Sequence, residues 1–289
     1  MIFGTVEAWG EGEEIYGGTS CSHAIKKYSE TELFDFIMNA VDAGFDQFDT
    51  SPLYHNEREL GEIFHKLDPV NPEDGYRRTN YRIISKLPPD KYGYENTIKA
   101  YLDSAQHLNI SDYLIHWPTF PLKELESTWR AFEWLKKNYH INIGVCNFDI
   151  PHQKKLFDIA DSEPCVNQIE CHLYFQNLEL LDFCHANGLE VQSYGSLFGG
   201  KGEHSIEYMI GWLLSQDVNP IVSSSRYQRL VSLKECDKDY EPEIIDHGKL
   251  GFEFKKTETF FESYQYDNDP SEFNKNTRLL MDPNLISAW

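Results

Sequence analysis

The stretch FDTSPLYHNERELG, residues 48–61, sets a carboxylate, Asp49, ahead of a phenol, Tyr54. Further along, RIISK (82–86) ends in Lys86, and YLIHWP (113–118) carries His116 followed by Trp117. These four residue types have a joint chemistry. A phenol is a poor acid at neutral pH, with an unperturbed pKa of about 10. A lysine ammonium beside it favours the phenolate and lowers that value. An aspartate pairs with the ammonium and holds it in place. A histidine donates a hydrogen bond to a substrate oxygen. Together such a set delivers a proton to a carbonyl oxygen as a hydride reaches the carbon. No side chain carries a hydride, so a nicotinamide must supply it. Singly, each residue has a plainer reading. Asp49 caps a turn, Lys86 is solvated, His116 is a satisfied core histidine, and Tyr54 is a packed phenol on a loop. The set gains force only if one architecture aims all four at one place.

The chain offers such an architecture. Helical periodicity runs through ETELFDFIMNAVDAG (30–44), ENTIKAYLDSAQHL (95–108), LKELESTWRAFEWLKKN (122–138), PHQKKLFDIA (151–160), LELLDFCHANG (178–188) and SIEYMIGWLLSQ (205–216). Gly44 and Gly188 suit helix ends, and Pro151 suits a first turn. Between them lie short apolar runs of buried-strand length: FGTV (3–6), FDQFD (45–49), RIISK (82–86), YLIH (113–116), INIGVC (141–146), VNQIE (166–170), LEVQSY (189–194) and NPIVSS (219–224). Strands alternating with helices in this number predict an α/β fold, a (β/α)8 TIM barrel over residues 1–236. A doubly wound sheet is the competitor, and no GxGxxG turn follows any strand. Active sites of barrels lie at the C-terminal ends of the strands. Asp49, Lys86, His116, Cys146–Asn147, Gln168, Glu170, Tyr194 and Ser223–Ser225 all fall there, with Tyr54 on the loop after strand 2. Residues 237–289 lose the alternation but are too aromatic for a solvated tail, and are expected to pack on the barrel.

Composition narrows the partners. With 26 basic and 47 acidic residues the formal charge is −21, which disfavours a phosphate-backbone partner such as nucleic acid. A phosphate-bearing cofactor would need local help from helix N-termini or placed cations. No run approaches the roughly 20 apolar residues of a membrane helix. The first residues, MIFGTVEAWGEGEE, lack the basic and apolar regions of a secretory signal. The six cysteines are scattered without a CxxC pair, consistent with reduced thiols and a cytoplasmic setting. The oligomeric state is not legible.

Several of these segments together resemble the aldo-keto reductase superfamily, from about residue 3 to 236. GFDQFDTSPLYHNERELG (44–61) is similar to the family's Asp–Tyr–Glu–Gly signature. RIISK gives its lysine and YLIHWP its histidine strand. IGVCNF matches its Gly-Val-Ser-Asn-Phe motif, and VNQIECHLY its Asn-Gln-x-Glu motif. The resemblance implies that Tyr54 is the general acid, supported by Lys86 and Asp49, with His116 orienting the carbonyl. It implies that Tyr194 stacks on a nicotinamide ring, and that Asn147 and Gln168, with Cys146 in the family's serine position, bind its carboxamide. Ser196 and Leu197 after strand 7, and Ser223, Ser224 and Arg229 after strand 8, would hold the phosphate end.

Three departures bear on that assignment. Cys146 replaces a serine and weakens one hydrogen bond to the carboxamide. IVSSSRYQRL (221–230) has serines where the family often has lysine reading a 2′-phosphate, leaving Arg226 and Arg229 as candidates. NADP(H) is the favoured cofactor and NAD(H) the other. The loop SLFGGKGEHS (196–205) is short, which suggests a looser clamp, with Gly199, Gly200 and Lys201 as further phosphate contacts. Trp9 and Trp117, with Phe120 and Trp289, would line a pocket for an apolar carbonyl, or pack under the C-terminal segment. Aldehyde, ketone and sugar substrates stay open. The leading function is an NAD(P)H-dependent reductase of a small carbonyl compound. A non-catalytic cofactor-sensing or partner-binding barrel is the alternative. A metal-dependent hydrolase using His55, Glu57, His116, Glu170 or His172 is disfavoured by ligand spacing.

Overall fold

The computed structural model describes residues 1–5, 28–67, 81–118, 122–198 and 204–236. Eight parallel strands close into a barrel in sequence order: β1 (Ile2–Gly4), β2 (Gln47–Asp49), β3 (Arg82–Leu87), β4 (Asp112–Ile115), β5 (Asn142–Cys146), β6 (Val166–Glu170), β7 (Glu190–Tyr194) and β8 (Val218–Val222). Closure is made by β1 against β8, with Ile2 beside Ile221 and Phe3 beside Val222. Each strand is followed by its helix: α1 (Glu30–Asp42), α2 (Glu57–Leu67), α3 (Tyr94–Ala105), α4 (Leu122–Tyr139), α5 (Ile150–Ile159), α6 (Leu178–Ala186), α7 (Ile206–Ser215) and α8 (Tyr227–Cys236). The architecture is the expected (β/α)8 barrel. Strand ends differ from expectation by a residue or two. The β4 and β8 ladders stop at Ile115 and Val222, because His116 and Ser223–Ser225 leave the sheet for the rim. Residues 237–289, Trp9, Phe120 and Lys201 lie outside the described residues.

The helices start and stop for local reasons. Ser29 and Glu32 form a reciprocal capping box at the start of α1. Asp149 and His152 do the same for α5, where Pro151 sits in the first turn. Gly188 follows α6 at φ +72°, a conformation costly for any residue with a Cβ.

Side chains alternate along a strand, so one parity of each strand enters the barrel. The interior is therefore layered. At the N-terminal end, Arg82 bonds Asp112 Oδ1 and Glu190 Oε2, each at 2.7 Å. Asn142 and Asn219 add amide bonds to the same two carboxylates. Above this polar plug lies an apolar layer of Ile2, Ile84, Leu114, Val166 and Ile221. Gly144 belongs here. A Cβ on it would meet Leu114 Cδ2 and the Val166 carbonyl at 2.8 Å. Two residues beyond Ile84, Leu114, Gly144, Val166 and Ile221 come Lys86, His116, Cys146, Gln168 and Ser223, while Asp49 and Tyr194 end β2 and β7. The opposite parity, with Phe3, Phe48, Ile83 and Tyr113, packs under the helices in the main core.

Gly61 of α2 explains one invariant demand of this packing. A Cβ at that position would lie 2.3 Å from the His107 carbonyl oxygen. The loop after α3 rests directly on the helix backbone. Gly61→Ala must push α2 away and is expected to destabilise by about 1–3 kcal/mol, as overpacking does. Urea denaturation of the variant checks this, and an unchanged midpoint would contradict it.

Candidate active site

At the C-terminal end of the barrel, Lys86 is completely buried. Its ammonium has three protons and three partners. It donates to Asp49 Oδ1 at 2.6 Å, to the Thr50 carbonyl at 3.0 Å and to the Tyr54 hydroxyl oxygen at 3.4 Å. The second oxygen of Asp49 accepts from Gln168 Nε2 at 2.8 Å, and Gln168 donates its other N–H to Gln192 Oε1 at 3.0 Å. One ion pair thus ties β2, β3, β6 and β7 together beneath the mouth.

Tyr54 reaches this place on a short 3-10 turn, Pro52–Tyr54, in which the Leu53 N–H is capped by the Ser51 hydroxyl. Proline at the first position suits the turn, since no N–H is required there. Thr50 donates to Asn56 Oδ1, and Asn56 Nδ2 donates to the Thr5 carbonyl at 3.1 Å, pinning the loop to β1. Glu57 fixes the other end. Its buried carboxylate accepts from Ser85 on β3 at 2.6 Å and from Ser104 on α3 at 2.7 Å. Burial raises the Glu57 pKa, and the two serine hydrogen bonds partly offset that rise. His116 stands edge-to-face with Tyr54, ring centroids 6.3 Å apart, and Trp117 stacks on His116 at 6.2 Å.

The electrostatics correct one expectation. Burial pushes the Tyr54 phenol up to about 12, although Lys86 pulls it down, and Asp49 adds to the rise. The expected lowering follows from the ammonium alone, and desolvation outweighs it. Tyr54 rests as a neutral phenol, with Lys86 as hydrogen-bond donor and its own proton available. For Lys86, burial favours the neutral amine, yet the Asp49 carboxylate beside it offsets this and the pKa is raised. Burial and the Lys86 charge hold His116 well below the ordinary histidine value, so its ring is neutral. Burial likewise lifts the Cys146 thiol to about 12, keeping it protonated.

The residues expected to hold a nicotinamide surround this group. Asn147 has a left-handed backbone at φ +64°. Its Nδ2 donates to the His116 carbonyl at 2.9 Å, and its Oδ1 accepts from the Tyr194 hydroxyl at 2.6 Å. Gln168 Oε1 receives only a long 3.8 Å thiol contact from Cys146. Both amide oxygens therefore keep acceptor capacity, which suits the N–H groups of a carboxamide. At the β8 end, Ser223 Oγ is a buried hydroxyl oxygen without a partner among the described residues. Ser224 Oγ accepts from the Arg226 N–H at 3.1 Å just before α8. Arg226 and Arg229 are exposed beside that helix N-terminus and make no ion pair among the described residues. The Ser223 hydroxyl, two exposed guanidinium groups and a helix N-terminus fit a phosphorylated nucleotide. Ser196 is different. Its buried hydroxyl lies against the Ser193 and Ile221 carbonyls, linking β7 to β8. Leu197 packs at the edge of the core. No cluster of metal-ligand type occurs among the described residues, and no described helix is long and apolar enough to cross a membrane.

Thr50, Ser51, Asn56 and Gln192 are not marked by type or spacing in the sequence. Only the register that sets Gln168 beside Gln192 reveals the last.

The sequence profile of the Aldo/keto reductase family matches residues 14–207, and the chain belongs to that family. The glyoxal reductase of Bacillus subtilis (strain 168) is 34% identical over 174 residues, which are 59% of this chain and 60% of that protein. The chain thus matches less than two thirds of that relative's length. The uncharacterized oxidoreductase YtbE of the same bacterium is 28% identical over 260 residues, 88% of each chain. Among solved structures, a variant of Gox0644 in complex with NADPH is similar at a TM-score of 0.64 and 28% identity, covering 74% of this chain and 82% of that one.

His116 carries a testable consequence. The unfolded chain takes up a proton near pH 6.5 and the folded protein does so only well below it. The unfolded state then binds more protons, so stability falls as pH drops through this window, by up to about 1.4 kcal/mol per pH unit. Urea denaturation across mildly acidic pH should show wild type losing stability faster than His116→Gln. Equal slopes would contradict a buried, neutral His116.

Proposed function

We propose that this protein is an NAD(P)H-dependent reductase that converts an aldehyde or ketone to an alcohol, with Tyr54 as the proton donor. One observation carries the reading: a buried ammonium, held by a carboxylate at 2.6 Å, lies 3.4 Å from a neutral phenol whose ring faces a neutral imidazole. Family membership and the NADPH-bound relative support it.

When bound, a reduced nicotinamide supplies a hydride to the carbonyl carbon. Tyr54 and His116 each direct a hydrogen bond at the carbonyl oxygen. Negative charge grows on that oxygen during the reaction, and the phenol gives up its proton to it. The phenolate left behind sits beside the Lys86 ammonium, which is already oriented, so little reorganisation is needed. Asp49 keeps Lys86 charged and in place. Solvent returns a proton to Tyr54 afterwards. Asn147 and Gln168 would receive the carboxamide, and Tyr194 would flank the ring. Ser223, Ser224, Arg226 and Arg229 would hold the phosphate end, which favours NADPH over NADH. Trp117 would border the substrate.

Tyr54→Phe removes the proton and keeps the ring. Its kcat/KM should fall by about 100- to 10,000-fold, the range for a general acid, with NADPH affinity, read by tryptophan fluorescence, unchanged. Full turnover by this variant would overturn the mechanism. Saturable NADPH binding without turnover of any carbonyl in the wild type would make the protein a cofactor-binding barrel instead. Arg226→Ala with Arg229→Ala should weaken NADPH by about 10- to 100-fold, as loss of charge-assisted bonds does, and weaken NADH far less. An equal effect on both cofactors would remove these arginines from 2′-phosphate recognition.

A further inference from the structure

We infer that Ser51 is a positioning residue that fixes which ring nitrogen of His116 carries the proton. The inference rests on the proposed reductase chemistry for its consequence, though not for its geometry.

Ser51 is fully buried. Its Oγ accepts from the Leu53 N–H at 3.3 Å and lies 3.3 Å from His116 Nδ1. A neutral imidazole has one N–H and one bare nitrogen, so this contact has two possible senses. If Nδ1 carried the proton, Ser51 Oγ would accept from both Leu53 and His116. Its own O–H would then need a third partner, and among the described residues it has none. A buried O–H without an acceptor is costly. If Ser51 donates to a bare Nδ1, its hydroxyl and His116 Nδ1 are both satisfied. Leu53 N–H donates to Oγ, and the hydroxyl donates onward to the ring. The proton must then sit on Nε2.

This matters at the mouth. Nε2 makes no hydrogen bond to a described residue. The backbone of His116 is held separately, its carbonyl accepting from Asn147 Nδ2 at 2.9 Å. With the proton on Nε2, imidazole and phenol present two donors to one substrate oxygen. With the proton on Nδ1, a nitrogen lone pair would face that oxygen and repel it. Ser51 is on the same turn as Tyr54, so one short segment supplies the acid and sets the tautomer of its neighbour.

The direct test is the tautomer. In uniformly 15N-labelled protein without cofactor or substrate, long-range 1H–15N correlations distinguish the protonated ring nitrogen, and His116→Gln identifies the signals. The expected wild-type pattern is a single form with the proton on Nε2. Ser51→Ala should give a mixture, and Ser51→Thr, which keeps the hydroxyl, should restore the single form. In turnover, Ser51→Ala should lower kcat about tenfold with KM nearly unchanged, the scale of one lost hydrogen bond, and Ser51→Thr should recover most of it. Wild-type signals showing the proton on Nδ1 would overturn the assignment. So would an Ser51→Ala protein with the wild-type tautomer. The spectrum is read without turnover, so failure of the reductase reading would appear separately, as a wild-type protein with the expected tautomer and no carbonyl reduction.

Discussion

The mouth of this barrel is organised around an ammonium kept charged while fully buried. Lys86 is fully buried, and burial alone would drive it neutral. The carboxylate of Asp49 at 2.6 Å prevents that. Removing one partner of such a pair typically costs about 3–5 kcal/mol, because the other charge is stranded. The pair also sets the geometry around it. Lys86 points at Tyr54, and the far oxygen of Asp49 orders Gln168, which orders Gln192. Four strands meet in this network, so the position of the phenol follows from the closure of the barrel.

Desolvation gives Tyr54 its resting state. A phenol lifted to about 12 holds its proton until a stronger base appears nearby. In the proposed reaction, an oxygen gaining negative charge during hydride arrival is such a base. Lys86 would then stabilise the phenolate that remains. The neutral imidazole and the protonated Cys146 thiol follow from the same dry surroundings. Below this layer lie Ile84, Leu114 and Val166, and below them the Arg82 plug. The apolar layer separates two polar ones, so each keeps its own charges in balance. Against an overall charge of −21, the phosphates of the proposed cofactor would depend on local features at α8.

Much of this was legible in the sequence because strand periodicity is strict. Ile84 and Lys86 share a parity, as do Leu114 and His116, or Val166 and Gln168. Reading polar residues at strand ends therefore found the interior rim. The same parity, followed backward, leads from Lys86 to Arg82 and from Leu114 to Asp112, so the N-terminal plug was present in the pattern but unread. Ser51 and Asn56 were not legible. Serine and asparagine beside a proline signal a turn in any protein, and only the folded loop shows that one caps toward His116 and the other toward Thr5. Gln192 needed the β6–β7 register. The direction of the Tyr54 shift needed the depth of burial, which no list of neighbouring charges contains. Trp9 and residues 237–289 lie outside the described residues.

In the proposed function, this mouth couples hydride arrival at a carbonyl carbon to proton delivery at its oxygen. A single-turnover reaction tests it most directly, with NADPH deuterated at the transferring position of C4, a small 2-oxoaldehyde, and ordinary water. Product analysis by mass spectrometry and NMR should find one deuterium on the former carbonyl carbon and none retained on oxygen, with cofactor consumption slowed by the label. Reduced product without deuterium at that carbon, or cofactor left intact with every carbonyl offered, would contradict the account.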